Sequence, residues 1–171
     1  MRSQKVTGII LSRINYKETD KIVILFSKEL GKILLKAKGA KSIKSHRLSH
    51  FEPLNLISVL VYESVLTETK IIETFLKIKA DLGTLGLGFY VCEVLNRILP
   101  EHEPHKKTFE KLLILLQDLN EKSLKNFLVE MLWDMGYLPV GQYPKRGINV
   151  FVESVIERRM NSKSLLLKIN Q

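Results

Sequence analysis

Between positions 32 and 47 the chain carries Lys32, Lys36, Lys38, Lys41, Lys44 and Arg47 with no acid among them. Cations at this spacing can neutralise successive phosphates of a nucleic acid, each contact releasing condensed counterions. Gly39 lets the backbone turn close beside a phosphate, and Ser42 and Ser45 add hydroxyl donors. Lysine outnumbers arginine here, so the expected contacts are point-charge contacts to phosphate that carry no base identity. A solvated loop kept for solubility fits the same residues. Tyr16, beside Arg13 and Lys17, is the best-placed ring for stacking an unpaired base, with Phe51 and Tyr62 behind it. Packing over the end of the fold is the other use open to Tyr16.

Other groups of chemically capable residues carry less. Glu18 and Asp20 could hold a metal for a nuclease, but they sit in a lysine-rich turn with no third acid nearby, and turn or salt-bridge chemistry is their expected role. Glu101, His102, Glu103 and His105 are metal-ligand types placed in a loop between two prolines; no metal is assigned to them. Gly83, Gly86 and Gly88 lack the preceding strand and the following Gly-Lys-Ser/Thr of a phosphate loop, so close helix packing is their plain use. The single cysteine, Cys92, excludes an internal disulfide and a thiolate zinc cluster and reads as a small buried hydrophobe. No catalytic residue is assigned. Trp133 lies about 180° around its helix from the apolar stripe that begins at Leu124, taking 100° per residue. It either packs against the N-terminal part or faces a partner groove in which Arg97, Arg158 and Arg159 meet an acidic tail.

The elements that must position these residues follow from the hydrophobic period. Up to about Glu73 it is strand-like, over Val6–Ile14, Lys21–Ser27, Lys32–Lys38, Leu54–Tyr62 and Val65–Ile72. In the third strand Ile33, Leu35 and Ala37 point one way, and Lys32, Leu34, Lys36 and Lys38 point the other, as a ladder facing solvent. Glu63-Ser64 fits a two-residue connection only loosely. Phe26 alternates with Ile22 and Ile24 and is expected in the core. Five short strands, with a longer excursion between the third and fourth, fit a small closed barrel of the OB type. From Lys79 the period is helical: Asp81–Leu99, Lys106–Leu119, a third helix that Ser123 can cap and Gly136 can end, and Asn149–Met160 after the Pro/Gly-rich stretch Tyr137–Gly147. The fold class is α+β, with a barrel domain over residues 1–76 and an all-helical domain over 77–171.

Composition places the chain among ordinary globular proteins, with 45% apolar and 26% charged residues in 171. Twelve Lys and Arg face three acids (Glu18, Asp20, Glu29) in residues 1–50, while bases and acids balance beyond, so the whole formal net charge of +9 sits in the first fifty residues. A polyphosphate partner or a basic face kept for solubility both account for that asymmetry. The longest aliphatic run, Leu112 to Leu116, is too short for a membrane span, and no signal-peptide core follows Met1, which predicts a soluble cytoplasmic protein.

Several stretches, taken in order, resemble the recombination mediator family RecO. They are Gly8-Ile9-Ile10-Leu11, Tyr16-Lys17-Glu18-Thr19-Asp20, Leu30-Gly31, Ala37-Lys38-Gly39-Ala40-Lys41, and Leu48 with Phe51-Glu52-Pro53. Further on come Leu99-Pro100-Glu101 with Glu103-Pro104, and Met135-Gly136-Tyr137-Leu138-Pro139. The resemblance implies an OB-fold that binds single- and double-stranded DNA and a helical domain that docks the C-terminal tail of single-stranded-DNA-binding protein. It also implies a partnership with RecR and a nucleoid-associated, non-enzymatic role with no cofactor and no small-molecule substrate. It favours DNA contact for the basic loop at Lys36, Lys38, Lys41, Lys44 and Arg47. Many members carry a four-cysteine zinc finger after the Gly-Tyr-Leu-Pro segment. Here Tyr137–Gly147 contains neither Cys nor His, and Asn149–Leu167 resembles the helix and tail that follow the finger, so the finger looks deleted. The rival readings from the residues themselves are a protein-interaction adaptor that does not bind DNA and, more distantly, a metal-dependent nuclease.

Overall fold

The computed structural model describes residues 3–40 and 46–156, except the side chains of 46 and 47. The described residues form two compact units, one of 3–40, 46–75 and 99–106, the other of 76–98 and 107–156. Segment 99–106 thus groups with the strands, although its sequence neighbours are helical.

In the first unit, β1 (Gln4–Tyr16), β2 (Asp20–Ser27), β3 (Gly31–Ala37), β4 (Leu56–Tyr62) and β5 (Val65–Glu73) close a barrel in the order β1-β2-β3-β5-β4. All pairings are antiparallel except the short parallel contact of β3 with β5 at Lys36 and Val65. This is the five-stranded OB arrangement. The alternation of strand side chains sends Val6, Ile10, Val23, Leu25, Ile33, Leu35, Ile57, Val59 and Leu66 inward, where they meet Ala37, Ala40 and Phe51. Phe51 is fully buried in that core, which removes it as a stacking ring. The reason is local: it ends the 3-10 turn His46–Phe51 that follows the excursion after β3. Phe26 is fully buried, as its alternation suggested.

Two closures were weak in the sequence and are specific in the structure. Glu63 and Ser64 both take positive φ, +46° and +62°, the conformation a two-residue hairpin needs and one in which glycine and asparagine are usual. A tertiary bond supports them: the Ser64 carbonyl accepts from the Lys36 N–H at 2.8 Å, which also seals the barrel. Leu54, expected in the fourth strand, instead has φ +72° and donates its N–H to Ile10 O at 2.9 Å, so β4 starts two residues later. Along β3, the His102 N–H donates to the Lys32 carbonyl at 2.9 Å and Glu101 bridges Lys32 in parallel, laying segment 99–106 beside the strand. Gly31 sits under it at φ +70°, where a Cβ would overlap the Glu103 carbonyl.

The second unit contains α1 (Leu76–Ala80), α2 (Leu82–Ile98), most of α3 (Lys106–Gln117), α4 (Glu121–Asp134) and α5 (Ile148–Ile156). The α2 helix buries Tyr90, Val91, Cys92, Val94, Leu95 and Ile98, and α4 buries Leu124, Phe127, Leu128, Met131 and Leu132 on the expected stripe. Leu82, the first residue of α2, is 71% exposed. The cap of α4 lies one turn earlier than Ser123. Asn120 Oδ1 accepts from the N–H groups of Lys122 and Ser123, while Ser123 Oγ accepts from the Asn120 N–H at 2.9 Å, a reciprocal capping box. At the other end the N–H groups of Gly136 and Tyr137 bond to the carbonyls of Trp133 and Leu132, the Schellman pattern. No helix among the described residues is long and apolar enough to cross a membrane.

Candidate nucleic-acid interface

Register decides which outward side chains of the barrel meet. Ile14 lies opposite Ile22 and Ile22 opposite Lys36, while Tyr16 lies opposite Asp20, so side chains more than twenty residues apart share one outer patch over β1, β2 and β3. Ile14, Tyr16 and Leu34 are 53%, 36% and 38% exposed there, a partly apolar surface on the solvent side of a sheet. The Tyr16 ring is flanked by two cations, Lys36 Nζ at 5.3 Å and Lys17 Nζ at 5.6 Å from its centroid. Such cation–π contacts hold a ring and two ammonium groups together at a wet surface. Lys17, not singled out as a contact residue from sequence, enters the site because the β1–β2 turn takes φ +53° at its position; its adjacency to Tyr16 was the signal.

Lys38 is exposed next to this group. Asp20 shapes the turn that carries it: Oδ1 accepts from the Gly39 N–H at 2.9 Å and from Thr19 Oγ1 at 3.3 Å. The Gly39 bond above all, then Thr19 and the charges of Lys17 and Lys38, holds the Asp20 carboxyl below the ordinary carboxylate value. Gly39 has φ +62° with open space where a Cβ would stand. The positive φ is what requires glycine at this turn, and the open side leaves the backbone accessible there.

Two expected contact residues are placed differently. Lys32 does not face solvent with Lys36 and Lys38: it is 9% exposed, because Glu101 and His102 lie alongside that end of β3. Burial lowers its pKa, and the nearby Glu101 charge opposes the shift. Arg13 is engaged by the barrel itself, with Nη1 2.7 Å from Glu52 Oε1 and donating to the Leu48 carbonyl at 3.3 Å. Its charge is matched within the fold by the acid of the Phe51-Glu52-Pro53 stretch. Tyr62 remains 42% exposed at the end of β4. Lys41, Lys44, Ser42 and Ser45 lie outside the described residues, as does the Arg47 side chain.

In the helical unit, Arg97 pairs with Glu93 one turn back at 2.9 Å, and Arg158 and Arg159 fall outside the described residues. Trp133 takes a role that neither expectation foresaw. Its Nε1–H donates to the Gln142 carbonyl at 2.8 Å and its ring meets Tyr143 edge-on, centroids 5.7 Å apart, so it braces the loop that follows its own helix. A zinc finger does not fit this loop, since 137–147 offers neither Cys nor His and Cys92 is buried in α2. Among the described residues no group of three or more His, Cys, Asp or Glu is arranged to hold a metal. Glu103 and His105 stand 3.8 Å apart as a simple pair.

Comparison with known proteins adds to this geometry. Residues 1–75 match the family model described as Recombination protein O N terminal, and residues 79–143 match Recombination protein O C terminal. A protein named DNA repair protein RecO from Listeria monocytogenes (serotype 4a, strain HCC23) is 33% identical over 147 residues, covering 82% of this chain and 57% of the relative. One of the same name from Anaeromyxobacter dehalogenans is 29% identical over 126 residues, covering 70% of this chain and 50% of the relative. The chain therefore spans about half the length of the curated relatives it matches.

Proposed function

The chain belongs to the RecO family, and from that premise we propose that it serves as a recombination mediator in DNA repair. In this reading residues 1–76 bind single- and double-stranded DNA and residues 77–171 recruit protein partners. The protein anneals single strands and acts on strands coated by single-stranded-DNA-binding protein so that a recombinase can load. Its partners are the acidic C-terminal tail of that coating protein and a RecR-like protein, and it works in the cytoplasm at the nucleoid without cofactor or catalysis.

The observation that supports the DNA-binding half is the exposed group of Tyr16, Lys17, Lys36 and Lys38 beside Ile14 and Leu34 on the outer face of the barrel. An aromatic ring with apolar neighbours offers a surface for unpaired bases, and the ammonium groups around it meet the phosphates between them. The test is a titration of the full chain into a fluorescently labelled oligonucleotide at two salt concentrations, with Mg²⁺ present. Binding that weakens with salt and leaves the strand uncut is the expected result. Cleavage would instead indicate a nuclease, and absence of binding would leave the adaptor role.

A further inference from the structure

The loop between α4 and α5 has features that the barrel reading does not use. Tyr143 is 68% exposed, yet its ring is held edge-on against Trp133, which is itself anchored by its hydrogen bond to Gln142. Lys145 and Arg146 follow after Pro144, and both are exposed. No Asp or Glu occurs between Asp134 and Glu153. Both of those acids are turned to other tasks: Asp134 accepts from Lys111 at 2.8 Å, and Glu153 lies near enough to Tyr90 to raise its pKa, on the α5 side where Asn149 bonds the Tyr90 hydroxyl. The two loop cations also line a cleft of about 330 Å³ with Pro144, Val150, Phe151 and Ser154.

We propose that this loop is a second contact for single-stranded nucleic acid, stacking a base on Tyr143 and meeting the flanking phosphates with Lys145 and Arg146. A ring fixed before binding loses little side-chain freedom when a base lies on it, and every base has a face to offer, so the contact is indifferent to sequence. The cations lie beside the ring without a carboxylate in their own stretch of chain to compete with phosphate. An acidic peptide would favour the charge equally. A helix laid in a groove, however, is held by a row of apolar anchor pockets, whereas the described part of this loop presents an exposed ring beside a cleft lined by two cations. The site extends the proposed function to a second unit of the protein and does not depend on which residues of the barrel touch DNA.

Trp133 is the chain's sole tryptophan and reports on the loop directly. Unlabelled oligo(dT) is titrated into the full chain while Trp133 emission is followed, with anisotropy of a labelled oligonucleotide measured in parallel. A saturable change in emission is expected. Tyr143→Phe should retain it, and Tyr143→Ala should weaken the loop contact about tenfold, in the range measured when stacking rings are removed. Replacing Lys145 and Arg146 together with Ala leaves Trp133 and its neighbours intact and should make the salt dependence of the emission titration shallower by about 1.4 in log–log slope, at ~0.7 per phosphate. Lys36→Ala with Lys38→Ala, in the barrel, should weaken binding read by anisotropy while the emission change at saturating oligo(dT) keeps its amplitude. Anisotropy showing binding while Trp133 emission stays constant overturns the loop contact and leaves the barrel reading standing. Absence of binding by either signal overturns both. Emission that responds to an acidic peptide and not to oligo(dT) reassigns the loop to a protein partner.

Discussion

Replacing Lys36 and Lys38 together with Ala isolates the charges that the structure leaves exposed beside Tyr16. From sequence, six cations from Lys32 to Arg47 form one track, and five phosphate contacts at ~0.7 each give a log–log salt slope of about −3.5. The structure withdraws Lys32 from that track and adds Lys17, so three described cations, Lys17, Lys36 and Lys38, account for about −2.1 of the slope at ~0.7 each. Removing two of them should make the slope shallower by about 1.4. Between 50 and 200 mM salt the variant would then lose about sevenfold less affinity than its parent, the fourfold salt change raised to that power. The lost Lys36–Tyr16 contact is of the exposed cation–π kind, about 0.5–1 kcal/mol, which for a chain of this length lowers Tm by no more than about 4 °C. The assay is anisotropy of a labelled single strand over a salt series, with a melt of each variant. Lys32→Ala serves as the contrast and should leave the slope unchanged, because the residue is buried beside Glu101 and away from the exposed Lys36 and Lys38. An unchanged slope in a double variant that melts like the parent, or an equal loss of slope in Lys32→Ala, refutes the placement of the track.

Further outcomes follow from the fold. Gly31→Ala forces a side chain into a left-handed position against the Glu103 carbonyl and should cost at least about 2 kcal/mol, seen as a Tm lower by some 4–8 °C; an unchanged melt would mean that segment 99–106 does not lie over Gly31. Asn120→Ala removes the acceptor that caps α4 and should cost about 1 kcal/mol in chemical denaturation; no loss of stability would move the start of the helix away from Asn120. The Tyr90 hydroxyl is pushed up to about 12, first by burial and then by the charges of Glu153 and Glu93. Folding favours its neutral form, so that share of stability is intact below the unfolded value near 10 and is lost as pH rises from there towards 12. Phenolate absorbance and denaturation across that interval check it, and Tyr90→Phe should remove the corresponding part of the decline.

The barrel was legible because its signal is local. The inward residues of β2 and β3 alternate cleanly, and their spacing alone marks strand, face and core. Where the reading stopped short, a distant bond decided. The hairpin at Glu63-Ser64 lacks the usual glycine or asparagine and is supported by the N–H of Lys36, more than twenty-five residues upstream. Sequence alone does not separate Ser123 from Asn120 as the cap of α4, because Asn and Ser have similar capping preference, and the hydrogen bonds assign Asn120 as cap and Ser123 as its partner at the third helical position. The five-residue helix α1 is too short to carry a period and had no sequence signal beyond the apolar Leu76 and Ile78.

For the candidate site, counting charges along the chain picked out β3 and the loop after it but overstated how many of those charges stand exposed together. The count assigns Lys32 and Arg13 to the same basic face as Lys36. The acids that change their meaning, Glu101 and Glu52, come from segments whose positions only the closed barrel determines. In the opposite direction, no periodicity could have joined Tyr16 to Lys36. They become neighbours because β2 places Ile22 between the outward positions of β1 and β3, and the register of two antiparallel pairs brings a ring and an ammonium group to 5.3 Å. A one-residue slip of either pair would turn one of them inward and dissolve the group. The alternation of Val23 and Leu25 into the core is what forbids that slip, since the same shift would expose both of them. The hydrophobic pattern that was easiest to read therefore also sets the geometry of the site that was hardest to read, and a core substitution in β2 that allowed the register to move should weaken binding without touching a single exposed lysine.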